Sequence, residues 1–460
     1  MVQKMLFFKR RDMDMLNGSI ADKFLIFALP LAFTGMLEQL FNTADTMVLG
    51  RFVGKSAMAA VGNNAMPISL LVMLLLGLSL GGNVVIAQRI GAGNEKRASR
   101  AVHTAIIMSL FMGAILLAAG EALTGLIMNM LGVPAEILPM AELYLRIYFL
   151  GLPALAIYNF ESAIFRSNGD SHTPLYSLMV VALLNIVLNL LTVVVFDWGV
   201  AGVVGATVIA NYVNAAILWR KLRHSESYIR LEYRKLRYAA KELKEIIRIG
   251  LPAGVQGMIF CLSNLVVQSA INSLGADVMA ASAAAFAIEI NVYCFLSAIG
   301  QATTTFIGQN FGAKNIERCF QITKIALLSE LAVMLFLGGL TTLFAKPLLG
   351  IFIQDAWIIE LGVIRIVYVT LLQFLNGVTE VLSGTMRGYG YSTPPAMIAL
   401  VTICGTRIIW VYTVFAAAPA FSTLLLTYPA SWAITGAILF VVYMRYRRRL
   451  LSRFVTPVIA

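Results

Sequence analysis

Between Leu29 and Gly50 the chain reads LPLAFTGMLEQLFNTADTMVLG, an apolar run long enough to cross a bilayer that nonetheless carries Glu38, Asn42 and Asp45. Their separations of four and then three residues set them on one face of a helix. A charged side chain near the bilayer centre costs at least about 2.5 kcal/mol, so Asp45 has to face protein, water or a bound cation. A carboxyl group withdrawn from water holds its proton more tightly, which opens proton exchange as a chemistry for such a site. The competing reading is an acid kept neutral by neighbouring helices. In a later apolar run Asn185 and Asn189 stand at i and i+4, face one way and can hydrogen-bond either form of a carboxyl group. Glu38, Glu161, Glu289 and Glu380 are acids in apolar runs that could line a cleft and attract cationic compounds. Arg146, Arg365 and Arg407 are the bases available to neutralise some of them, and pairing of Glu380 with Arg365 or Arg407 is the alternative to substrate contact.

The elements that must hold these residues are membrane helices. With 59% hydrophobic residues, 13% charged residues and a mean hydropathy of +0.83, the 460-residue chain is an integral membrane protein of all-α class. Its apolar segments predict about twelve transmembrane helices. The net charge of +12 comes mostly from Lys and Arg in the short connections on one side, among them Lys9-Arg10-Arg11, Arg89 to Arg100 and the tail RYRRRLLSR, so both termini are expected in the cytoplasm of a bacterial cell. That distribution argues against nucleic acid as a partner and for a lipid bilayer. Cys261, Cys294, Cys319 and Cys404 lack paired spacing and read as packing residues. The N-terminus has no cleavable leader pattern, so the first span itself is expected to direct insertion.

The chain repeats itself. PLAFTGML from Pro30 answers PAGVQGMI from Pro252, an offset of 222, and QRIGAGNEKR from Gln88 answers QNFGAKNIER from Gln309, an offset of 221. FRSNGDSHTP answers MRGYGYSTPP, with Glu161 matched to Glu380. Residues 1–219 then form an N-terminal lobe of helices 1–6, residues 220–245 a charged cytoplasmic linker with a surface helix, residues 246–445 a C-terminal lobe of helices 7–12, and residues 446–460 a basic tail. Each repeat holds an even number of spans, so the pseudo-twofold axis runs along the membrane normal and the lobes enclose a central cleft able to open to either side.

From Gly18 to about Tyr443 the chain resembles the multidrug and toxic compound extrusion (MATE) family. The pieces that carry the resemblance are NTADTMVLGRFVG, AQRIGAGNEKRA with IGQNFGAKNIERC, FRSNGDSHTPLY with NIVLN, VAGVVGATVIANY and SGTMRGYGYSTPP, in that order and duplicated. The resemblance implies an antiporter that exports cationic amphiphilic compounds by alternating access, in exchange for protons or sodium ions; a monomer is expected. It places a cation-coupling site in the N-terminal lobe, on Asp45, Asn159, Asn185, Asn189 and Thr207. Where the family often has a second acid, this chain has Asn189, which favours a proton over sodium; sodium at Asp45 is the one metal the pattern allows. In another branch acids sit in the seventh and tenth helices, near Phe260 and Asn376 here, so a cation site of that kind is not expected. The alternative within the same superfamily is a flippase for a lipid-linked saccharide, which calls for a cleft rich in Arg. Three histidines and no Walker-type glycine loop give no support to a metalloenzyme or ATPase, and no filter repeat supports a channel; no cofactor beyond the coupling cation is expected.

Overall fold

The computed structural model describes residues 13–454; Lys9-Arg10-Arg11 and the last six residues of the tail lie outside them. Among the described residues there are twelve helices long and apolar enough to span a membrane and no strands. The first six are Ile20–Val53, Lys55–Gly91, Glu95–Leu131, Leu138–Ser167, His172–Val195 and Gly199–Arg223. The second six are Ala240–Asn272, Ala276–Gly312, Ile316–Leu343, Ala356–Gly388, Thr393–Phe415 and Phe421–Ser452. Their outer faces expose Phe111, Leu126, Leu183, Phe336 and Leu343, as helices solvated by lipid must.

The two halves are copies down to single turns. The second and eighth helices start 221 residues apart and end 221 residues apart, and each begins after a glycine at positive φ, Gly54 (115°) and Gly275 (101°). The third and ninth begin after Asn94 and Asn315, whose side chains accept the N–H of Arg97 (3.1 Å) and Arg318 (3.4 Å). Asn94→Ala is expected to cost about 1 kcal/mol, read as a lower melting temperature in detergent, because it leaves an N-terminal N–H of that helix unpaired. The offset of 222 at Pro30 and Pro252 has a structural cause. The first helix carries one more residue than the seventh before its closing glycine, and a turn of i→i+5 geometry at Leu49–Val53, closed by Gly54 N–H to the Leu49 carbonyl at 2.9 Å, absorbs it.

The linker departs from expectation. It forms no surface helix beyond the single turn Tyr233–Lys235, and its helix formers from Ala240 onward belong to the seventh helix. The reason is packing: Ile229 and Leu231 are buried against the N-terminal lobe, and buried His103 accepts the Glu232 N–H at 3.1 Å while its other ring nitrogen lies 2.6 Å from the Ser99 carbonyl. These anchors hold the segment extended as a strap. The basic tail also continues the last helix, to Phe454.

The lobes meet at the end of the bundle that carries the basic connections. There the second helix lies so close to the seventh that a Cβ on Gly77 would stand 2.1 Å from the Gly254 nitrogen, and one on Gly81 2.3 Å from the Ile246 carbonyl oxygen. The contact is reciprocal about the pseudo-twofold: Gly91 faces the Gln309 carbonyl and Gly312 the Gln88 carbonyl. The Gln88 amide donates across to the Gly388 carbonyl (2.8 Å) and the Gln309 amide to the Ser167 carbonyl (2.7 Å). Thr305 donates to Asn83 (3.1 Å), Arg89 pairs with Glu245, and Phe24 and Phe27 of the first helix pack edge-on against Phe306 of the eighth. Toward the opposite end the same helices diverge, and a cavity of about 760 Å³ opens between the lobes.

Candidate functional site

Asp45 sits in the first helix one turn before its wide i→i+5 turn, and Asn189 sits immediately before the equivalent wide turn Leu190–Val195 of the fifth. Such turns shift the side-chain face by one position and free local carbonyls, and they recur at functional sites. The Asp45 carboxylate accepts from the Asn189 amide at 2.5 Å on Oδ1 and from the Thr207 hydroxyl at 2.8 Å on Oδ2. Asn189 also donates to Asn185 Oδ1 (3.0 Å), and the Asn185 amide donates to Thr207 Oγ1 (3.4 Å). Helices 1, 5 and 6 thereby close one polar network within the N-terminal lobe, with Asn185 and Asn189 fully buried. Asn159 is not part of it: its amide donates to the Leu155 carbonyl of its own helix at 2.8 Å. Asn189 Oδ1 has no hydrogen-bond partner, so a flip of that amide would present an acceptor to a proton on Asp45.

The cavity is a separate place. It lies mostly against the C-terminal lobe; the first lobe contributes Ser69, Met73 and Arg166 among others, and Asp45 does not line it. Glu289 and Glu380 reach it as expected, each beside an arginine. Arg365 donates to Glu289 through Nε (3.2 Å) and Nη2 (3.0 Å) and to Ser282 through Nη1 (2.7 Å). Glu380 stands 3.8 Å from Arg387, not beside Arg365 or Arg407 as its sequence position suggested, and Arg387 donates to Gln256 at 3.0 Å. Arg146 pairs with Glu121 at 3.1 Å, outside the cavity. Arg387 is the residue missed by sequence reasoning, although its match to Arg166 at the repeat offset of 221 marked it.

Two of the four acids do not line the cavity. Glu38 accepts a hydrogen bond from Tyr158 (3.3 Å) on the first-lobe side. Glu161 is fully buried within a run, Tyr158 to Phe165, that packs the fourth helix against its own lobe, and neither carboxyl oxygen has a partner. The cause is register: at the constant offset of 221 Glu380 corresponds to Asn159, so Glu161 is two residues out, about 200° around a helix. Glu380→Gln is expected to weaken binding of a cationic amphiphile about tenfold relative to an uncharged analogue, because only the cation loses a Coulomb attraction across the cavity. Equal losses for the two, measured by competition binding, would make the acid a purely structural partner of Arg387.

Two six-helix lobes around a pseudo-twofold, sealed at one end and open at the other, with a polar site buried in one lobe, are the architecture of a membrane transporter. The chain belongs to the MatE family, whose model matches twice, over residues 30–191 and 252–413. It is 27% identical to the probable multidrug resistance protein YoeA of Bacillus subtilis over 83% of this chain and 84% of that one. It is 28% identical to the probable multidrug resistance protein NorM of Thermotoga maritima over 83% and 82% of the two chains. In fold it superposes on the outward-facing conformation of a multidrug resistance MATE family transporter with a TM-score of 0.88, at 21% identity, over 96% of this chain and 99% of the other. It is a multi-pass membrane protein of the multidrug efflux family.

Proposed function

We propose that the protein is a secondary exporter that expels amphiphilic small molecules through the inter-lobe cavity in exchange for a cation taken up at Asp45. The observation that carries this reading is the buried carboxylate held by Asn189 and Thr207 in one lobe, away from a cavity that is closed at the basic end of the bundle. A proton suits the site better than sodium. Asp45 supplies one carboxylate, both of its oxygens already face donors, and no second acid adds the charge that would hold sodium. Coupling then runs through the first helix, which carries Asp45 at one level and packs on the eighth helix at another. Purified protein in liposomes should release protons when substrate is added, with no dependence on sodium; sodium-dependent uptake without proton release would reassign the coupling ion.

Orientation follows from charge. The sealed end carries the basic connections and is assigned to the cytoplasm, so the cavity in this state faces out. Single cysteines at exposed Glu226 in the strap and exposed Ala418 between the last two helices should react from opposite sides of intact cells, the second from outside. Reaction of both from one face would break the assignment. The cavity fits cationic substrates less well than the family resemblance suggests, since each carboxylate in it already faces a guanidinium. A lipid pyrophosphate also fits poorly, because two of the four arginines that line the cavity are ion-paired with a carboxylate.

A further inference from the structure

One arginine of the cavity, Arg407, has no carboxylate of its own: Glu289, the acid within its electrostatic reach, is already bound by Arg365. Arg166 stands within electrostatic reach of Glu38, Arg365 is bound to Glu289 and Arg387 lies beside Glu380. Arg407, in the eleventh helix, is 0% exposed and lines the cavity wall. Its Nη1 donates to Asn264 Oδ1 at 2.5 Å, while Nε and Nη2 have no hydrogen-bond partner among the described residues. The guanidinium lies 5.0 Å from the ring centre of Phe260 and 4.7 Å from that of Tyr428. Tyr428 also faces Arg365 at 5.7 Å, so two guanidinium groups share one tyrosine and one carboxylate, Glu289. One positive charge in this cluster is left without a counter-charge from the protein, and a buried charge in that condition is stable only when something brings the opposite sign.

The repeat sets the cluster on the three helices that correspond to those of the Asp45 network, with Tyr428 at the counterpart of Thr207. Tyr428 follows Thr207 by 221 positions, Arg407 falls one residue beyond the counterpart of Asn185, and Asn264 follows Asn42 by 222. In the C-terminal lobe the cluster therefore stands on helices 7, 11 and 12 where the Asp45 network stands on helices 1, 5 and 6. The framework is the same and the sign is reversed. The difference in access is also clear: the Arg407 cluster opens on the inter-lobe cavity, and the Asp45 network does not. Around Arg407 the cavity wall is aromatic, with Phe260, Phe286, Tyr293, Tyr428 and Trp432.

We propose that Arg407 binds the acidic group of an aromatic amphiphile, and that the molecules carried by this protein are flat aromatic bodies bearing a single carboxylate or sulfonate. The inference rests on the exporter reading for the claim that the bound molecule is carried, but not for the binding itself. One guanidinium without a carboxylate of its own sets the number of anionic groups, its buried, unpartnered Nε and Nη2 match the two oxygens of a carboxylate or sulfonate once the ligand displaces the side chains over them, and the aromatic wall receives the ring.

The test is equilibrium binding to the full-length protein in phosphatidylcholine nanodiscs, with empty nanodiscs subtracted and no ion gradient, by calorimetry. Three probes share one ring system: 2-naphthalenesulfonate, uncharged 2-methoxynaphthalene and the cationic 2-naphthyltrimethylammonium. The wild type should bind the sulfonate at least tenfold more tightly than the uncharged probe, with the cation weakest. Arg407→Gln should bring the sulfonate down to the affinity of the uncharged probe and leave the latter unchanged, and Arg407→Lys should retain part of the preference. Equal affinities, or tightest binding of the cation, overturn the proposal on the wild type alone, whatever the variants do. So does sodium sulfate that stabilises the wild type as strongly as the naphthalenesulfonate, since the cluster would then take a free inorganic anion. Because no gradient is present, the outcome is independent of coupling at Asp45; proton-driven flux of the uncharged probe tests the exporter reading separately.

Discussion

Asp45→Asn is expected to leave the protein folded and able to bind its substrate while removing accumulation against a gradient. The amide is nearly isosteric with the acid and easier to bury, and Thr207 can still donate to its oxygen. It cannot gain or lose a proton, so the two open states no longer differ in proton affinity and the pH gradient has nothing to act on. In the wild type each pH unit supplies about 1.4 kcal/mol per proton, which is a tenfold substrate gradient for one-to-one exchange. The measurement is uptake into inside-out vesicles with the pH gradient and the membrane potential imposed separately. Undiminished gradient-driven uptake by Asp45→Asn would take the residue out of the coupling role. The potential then reports the substrate's charge. One proton exchanged for a monovalent cation moves no net charge, one exchanged for an uncharged molecule moves one, and one exchanged for a monoanion moves two, each worth about 2.3 kcal/mol per 100 mV.

Gly77→Val should have the second-largest effect, on conformation and not on chemistry. Even the first carbon of a side chain there would stand 2.1 Å from the Gly254 nitrogen and 2.2 Å from its Cα, backbone atoms of a helix that cannot yield locally. The sealed end must open, and the equilibrium shifts toward the state whose cavity faces the basic side. A cysteine at Gln256, on the cavity wall near the seal, should therefore become reactive from the cytoplasmic side in the variant and remain unreactive from that side in the parent, with transport lost in the variant. Unchanged labelling with normal transport would mean that the two helices never need to approach this closely.

Much of the architecture was legible because membrane insertion is decided by run length and apolarity, which are properties of the chain read locally. The duplication was legible as well, and the change of offset from 222 to 221 already announced one extra residue in the first lobe between Pro30 and Gln88. Its place, the wide turn at Leu49–Val53, needed the backbone hydrogen bonds. The linker misled for a physical reason: helix-forming composition describes an isolated segment, whereas Ile229, Leu231 and His103 bind this one to the lobe and keep it extended. Glu161 misled because a motif match tolerates a shift of two residues and a helix does not.

The sequence by itself determined the twelve spans and the two lobes, which follow from period, length and repetition, and the family resemblance implied the amides near Asp45. Whether a given charge has a partner was decided only by the tertiary structure. Arg365 and Arg407 read alike along the chain, as lone bases in apolar runs, while Arg387 sits in the glycine-rich motif MRGYGYSTPP. In three dimensions Glu289 pairs with Arg365 and Glu380 with Arg387, while Arg407 meets Asn264 and two aromatic rings but no carboxylate in hydrogen-bond contact among the described residues. Electrostatic energy depends on distances between helices that are far apart in sequence, and packing fixes those distances.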